Sequence, residues 1–299
     1  VVASLEKGNK TKNIFADNLY KDIIDNSSNN STVFNAVLQN LVDQKFPVND
    51  DMKEDAATII KQIKSAYKSN YGDNYKDSLN QALTSAGYKN LSEYRQRMIK
   101  QIQYANFLLD YIDDHFDDVF NDYYQQCAPK YVSLIKISVS DTSSPTDDET
   151  SKLNEVKELI SNTDKSFGDI AQDYSDDSTS SKKGSLGIVD SKDTSGIANS
   201  YGKDVFNAIE ALSEGQVSDV ITGDDGYYFV KVTSTDKKTL KKELKKTDID
   251  SPLLAYDDYL QYVVYNSYKI NYKDKDIKKI VQEVVNKALE ERKTERGEA

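Results

Sequence analysis

The spacing of apolar residues changes twice along the chain. "STVFNAVLQNLVDQKF" places Val33, Phe34, Val37, Leu38, Leu41 and Val42 at helical intervals. "VNDDMKEDAATIIKQIKSAY" repeats the pattern through Met52, Ala56, Ile59, Ile60 and Ile63. "YKDSLNQALTSAGY" predicts a shorter helix that stops at Gly87. The longest predicted helix lies in "NLSEYRQRMIKQIQYANFLLDYIDDHF", capped by Ser92, with Leu91, Tyr94, Met98, Ile102, Ala105, Leu109 and Ile112 as its stripe. Ahead of these helices, Val1–Leu5, a turn at Lys7-Gly8-Asn9, and then Ile14, Phe15 and Leu19 predict a short strand, a turn and a helix.

Near Ala128-Pro129 the period becomes two. "KYVSLIKISVS" alternates and predicts a strand over Tyr131–Val139. Two helices follow, in "SKLNEVKELISN" and "SFGDIAQDY", and then a strand bounded by Gly184 and Gly187. "GKDVFNAIEALSEGQVSDVI" predicts a helix and a short strand, and "GDDGYYFVKVTS" a turn and a strand. From Asp236 helical spacing returns. "DKKTLKKELKKTD" sets lysines on a solvated face around Leu240 and Leu244, and "LLAYDDYLQYVVYNSY" reads as an aromatic helix. "KINYKDKDIKKIVQEVVNKALEERK" holds a strand-like piece and a final amphipathic helix.

The fold class is therefore α+β. Helical parts at 1–130 and 236–299 flank a β-α-α-β-α-β-β unit at 131–235, and the two helical parts are expected to pack as one domain around the insertion.

Composition narrows the chemistry. The 299 residues suit two domains, and with 21 Tyr and no Trp, tyrosine carries most of the aromatic load. A net charge of −11 argues against duplex nucleic acid as a partner and against an anionic membrane surface. The single cysteine, Cys127, and single histidine, His115, allow neither an internal disulfide nor a Cys/His zinc site. A histidine-dependent triad would have to use His115, whose setting "DDHFDDVF" reads as an acidic helix end. "DDETS" and "SDDS" lack the ligand spacing and glutamate of a calcium loop, so no metal and no cofactor is expected. No run approaches the roughly 18 apolar residues of a membrane span. No signal peptide is present, but the chain opens at Val1 as a processed or truncated chain would.

Five ordered pieces of the middle unit, "VSLIKIS", "FGDIAQDYSDD", "GSLG", "ALSEGQVSDVI" and "DGYYFVKV", resemble the parvulin-type peptidyl-prolyl isomerases. With its flanks, the chain resembles the PrsA-type lipoprotein foldases on the outer face of Gram-positive membranes, and more distantly the SurA chaperones. The resemblance implies a lipid anchor outside this sequence, unfolded secreted polypeptides as partners, and homodimerisation.

Rotation about an X-Pro amide crosses about 18–20 kcal/mol. A catalyst must favour the twisted amide, with an apolar cup for the ring and polar groups that answer the lost conjugation. Parvulins place two histidines and an Asp or Cys beneath an apolar wall. By resemblance the first histidine position is Leu134, the second Tyr228, and the Asp/Cys position Asp177. The wall maps to Leu186, Tyr201 and Val205, or Phe206 with a one-residue gap, and Ser185 stands in "GSLG" where the family has Asp.

Both histidines are thus replaced. The Leu134 side chain offers no hydrogen bond, and the Tyr228 phenol titrates far from neutrality. Leu134 also reads as plain strand core, Tyr228 as a strand aromatic, and Asp177 as a loop or cap residue. The expected function is an extracytoplasmic foldase acting chiefly as a chaperone, with weak or absent isomerase activity. The alternatives are an isomerase remodelled around Asp177 and Tyr228, and a non-catalytic cell-surface binding protein.

Overall fold

In a computed structural model, residues 3–7, 10–245 and 248–298 are described. The chain forms two compact units. One joins the residues up to Tyr111 with those from Asp258 onward, and the other comprises Ile112–Asp257.

The first unit opens with an antiparallel hairpin, β1 (Ala3–Lys7) and β2 (Lys10–Ile14), followed by α1 (Ala16–Ile24). The expected turn falls at Gly8 and Asn9, outside the described residues. Ile14 closes a second strand rather than opening the helix; "KTKNI" has no apolar alternation to announce it. Helix α2 (Asn30–Lys45) buries Val33, Phe34, Leu38 and Val42, and α3 (Asp50–Tyr71) buries Met52, Ala56 and Ile60 one turn apart. Helix α4 (Tyr75–Ser85) ends as expected. Gly87 takes φ +84° and the Tyr88 amide returns to the Leu83 carbonyl at 2.9 Å. Helix α5 (Leu91–Asp114) is capped by Asn90 and not by Ser92: the Asn90 side chain accepts from the Glu93 amide at 2.9 Å. The Glu93 carboxylate accepts from the Lys89 amide at 2.8 Å, and Ser92 lies within the helix.

In the second unit, α6 (Phe116–Cys127) ends at Ala128 in the left-handed region. Then come β3 (Lys130–Ser138), α7 (Asp147–Asn162), α8 (Phe167–Tyr174), β4 (Ser185–Val189) and α9 (Ile197–Tyr201). The unit closes with α10 (Lys203–Ala211), β5 (Ile221–Thr222), β6 (Gly226–Ser234) and α11 (Lys237–Leu244). The four strands make an antiparallel sheet in the order β4-β3-β6-β5. Alternation along β3 divides the core. Ile135 and Ile137 join Leu153, Val156, Phe167 and Ile170 under α7 and α8. Val132 and Leu134 join Val189, Val205, Ile209 and Val230 under α9 and α10. The α11 lysines are more than a solvated face. Lys241 pairs with Asp117 at 2.8 Å, and Lys237 lies 5.3 Å from the Tyr124 ring.

The chain then returns to the first unit with α12 (Leu260–Ser267) and α13 (Lys275–Glu295). The expected aromatic helix is therefore broken. Tyr256 stacks edge-on to Tyr123 at 5.4 Å in the second unit, whereas Tyr262 stacks on Phe34 at 4.9 Å in the first. Its aromatics serve two cores, so one helix axis cannot carry them all. The strand-like piece at Lys269–Ile270 is irregular, and among the described residues no strand pairs with it. Helix α13 packs on α2 through Ile280, Val281, Val285 and Ala288. Among the described residues no helix is long and apolar enough to cross a membrane.

Candidate functional site

Leu134 and Tyr228 lie on the same face of the central strand pair. In the β3–β6 register Leu134 opposes Val230, and Lys136 opposes Tyr228. On its other side Tyr228 opposes Ile221 of β5. Leu134 is 0% exposed and belongs to the apolar core; its amide donates to the Gly184 carbonyl at 2.8 Å. That approach requires glycine: a Cβ on Gly184 would lie 2.4 Å from the Leu134 carbonyl oxygen, and its φ is +75°.

Tyr228 is 3% exposed, its ring edge-on to Tyr201 at 6.2 Å and tight against the backbone of Gly223. Its phenol donates to the Asp225 carboxylate, which also pairs with the Lys136 ammonium. The Lys136 Nζ lies 5.6 Å from the Tyr228 ring centroid. Burial, and then the Asp225 hydrogen bond, raise the Tyr228 phenol well above its ordinary value. Lys136, and then Tyr228, hold Asp225 below the usual carboxylate range.

Asp177 does not meet Tyr228 directly. It caps a 3₁₀ turn at Ser178–Lys182, accepting from the Thr179 amide at 2.9 Å and its hydroxyl at 2.6 Å. Tyr201 reaches it only at 3.5 Å, the outer limit of a hydrogen bond. Burial, and then Asp177, raise the Tyr201 phenol.

A cleft of about 610 Å³ opens beside these residues, with Tyr201, Val205 and Tyr228 in its wall and Asp204, Asp224 and Asp225 at its rim. Leu186 and Phe206 pack half-buried on the same core without lining the cleft. The structure thus joins Tyr228 to Asp225 and Lys136, two polar residues that sequence reasoning missed. Lys136 lies two residues beyond Leu134 and Asp225 opens "DGYYFVKV", but neither position by itself pairs them with Tyr228. The arrangement offers a largely polar recess edged by a phenol whose proton is held at neutral pH. Among the described residues no cluster suited to a metal ion occurs.

Residues 134–234 match the rotamase family model, a PPIC-type PPIase domain. The foldase protein PrsA of Staphylococcus aureus is 32% identical over 141 residues, 45% of this chain and 41% of that protein. The Staphylococcus epidermidis foldase protein PrsA matches equally. The chain spans about two fifths of the length of these curated relatives. Among solved structures, foldase protein PrsA from Streptococcus pneumoniae is 18% identical with a TM-score of 0.42, over 93% of this chain and 98% of that one. PrsA from Bacillus subtilis is 22% identical with a TM-score of 0.42, over 88% and 92%.

Proposed function

We propose that this PrsA-type chain, with its parvulin-family domain, is an extracytoplasmic foldase that acts chiefly as a chaperone for unfolded secreted polypeptides. We further propose an outer-face location held by a lipid anchor, and a homodimeric assembly, both suggested by the resemblance to the PrsA-type foldases. The central domain serves as a peptide-binding surface with weak or absent isomerase activity.

The observation that carries this reading is the pair Leu134 and Tyr228. One is a buried aliphatic with no polar atom to offer a twisted amide, and the other has its hydroxyl engaged by Asp225. Catalysis requires groups that bind the transition state better than the ground state. A hydroxyl already spent on a carboxylate must break that bond first.

A second reading, a remodelled isomerase, is favoured by one feature: the cleft walled by Tyr201 and Val205, with the Lys136–Asp225–Tyr228 group at its edge. Two assays on the full chain separate the readings. They are proline-limited refolding of a substrate protein and suppression of aggregation of an unfolded client. Suppressed aggregation without faster refolding is the expected result. Accelerated refolding that is lost in Tyr228→Phe or Asp225→Asn overturns it in favour of the isomerase. Absence of both effects leaves the cell-surface binding protein as the better account.

A further inference from the structure

A groove of about 440 Å³ lies between α3 and the first turn of α5 in the helical unit. Ala57, Ile60 and Leu91 form its apolar floor, and Lys61, Lys64 and Arg95 its rim. Positions 57, 60, 61 and 64 follow one face of α3 at helical spacing. Arg95 leans back onto α3, donating to the Lys53 carbonyl at 3.4 Å. No acidic side chain lines the groove. Glu93, close by in sequence, is spent on the Lys89 amide. None of the ion pairs among the described residues involves the three rim cations, and all three are exposed. The positive end of α5 adds to the same field.

This is an inversion of local charge on a chain whose net charge is −11. We infer that the groove docks acidic segments of client polypeptides, with an apolar side chain on the floor and carboxylates on the rim, which rests on the chaperone reading. Apolar burial supplies the affinity. Exposed charges add little individually but set the sign of the partner and speed its arrival. At physiological salt the field of the remaining acidic surface decays over about 8 Å, so a local cationic rim suffices to admit an acidic segment.

The test measures binding of a short peptide of Asp, Glu, Leu and Phe, labelled with a neutral dye, to the full chain by fluorescence anisotropy. One control peptide carries Lys and Arg in place of the acids, and another carries Ser in place of Leu and Phe. The expected result is preference for the acidic apolar peptide, weakened by salt. Triple reversal, Lys61→Glu with Lys64→Glu and Arg95→Glu, should weaken it at least about tenfold and abolish its salt dependence. Ala57→Glu, on an exposed floor position, should weaken it similarly with the rim cations intact. Unchanged affinity in both variants, no binding by the wild type, or equal binding of the basic peptide overturns the inference. Aggregation suppression measured in parallel keeps the two readings apart. If suppression persists while the groove variants bind as the wild type does, the groove fails and the chaperone reading stands. If the wild type does not suppress aggregation, the chaperone reading fails.

Discussion

The Tyr228 phenol donates its proton to the carboxylate of Asp225, three residues earlier on the same turn and strand. The phenol that would edge the proposed peptide-binding surface is thereby tied to a carboxylate of its own turn.

Tyr228→Phe should cost about 1 kcal/mol at neutral pH, the ordinary worth of a hydrogen bond, read as a lower urea midpoint. The folded phenol titrates above its ordinary 10.0, so its contribution is complete below pH 10 and is lost as pH rises through the higher folded value. Phe at this position should remove that part of the alkaline loss, and ultraviolet titration should show one late-titrating tyrosine fewer.

Lys136→Met releases Asp225 from its principal partner. The carboxyl should move back up toward 3.8, followed by NMR. Its lowered folded value stabilises above that pH and the gain is lost as pH falls, so the variant should be less sensitive to acid. The Asp225 side chain is 65% exposed, which limits the cost at neutral pH to less than about 1 kcal/mol.

Leu134→His tests whether an imidazole can be housed where the parvulin resemblance expects one. The site is sealed and apolar, so an imidazole there lacks partners. Destabilisation of about 2 kcal/mol or more is expected in urea unfolding, with no gain in proline-limited refolding rate.

Gly184→Ala should cost about 2 kcal/mol or more, since the new methyl meets the Leu134 carbonyl and the Ala171 Cβ at 2.8 Å while the backbone stays left-handed. A thermal melt compared with Gly187→Ala, whose surroundings are open at a similar φ of +81°, separates the clash from the backbone strain.

Helix α7 carries a reciprocal cap between Thr146 and Glu149. Hydrogen bonds from the Thr146 and Ser140 amides hold the Glu149 carboxyl at about 2, below its ordinary 4.5. The cap is therefore whole above pH 4.5 and is lost as pH falls toward 2. Hydrogen exchange in the first turn of α7 should quicken across that window, and Glu149→Gln should flatten the change.

Local signals wrote much of this fold legibly. Phe34 and Leu38 mark α2, Gly87 stops α4, and the alternation from Tyr131 predicts β3. Strand β2 escaped because "KTKNI" is mostly polar and exists through pairing with β1. The cap at Asn90 escaped because Ser92 is an equally good residue type two places later. In the candidate site, Leu134 and Tyr228 could be named from the resemblance to the parvulins. Lys136 and Asp225 could not, because what brings Lys136 opposite Tyr228 is the β3–β6 register, a property of two strands about ninety residues apart.

Asp190 is fully buried, accepting from the Tyr123 phenol of α6 at 2.8 Å, from the Lys192 amide at 3.0 Å and from the Thr194 hydroxyl. Tyr124 of the same helix donates to the Thr235 carbonyl at 3.0 Å, and Tyr256 donates to Asp122 at 2.8 Å. Tyr123, Tyr124, Thr235 and Tyr256 fall outside residues 134–234. A fragment trimmed to that stretch keeps the Lys192 and Thr194 bonds to Asp190 but loses the Tyr123 phenol and the cover of α6, and it is expected to be less stable and more quickly digested. A fragment of 112–257 keeps every one of those anchors, and limited digestion of the whole chain by a protease of broad specificity should leave a resistant piece of about that extent.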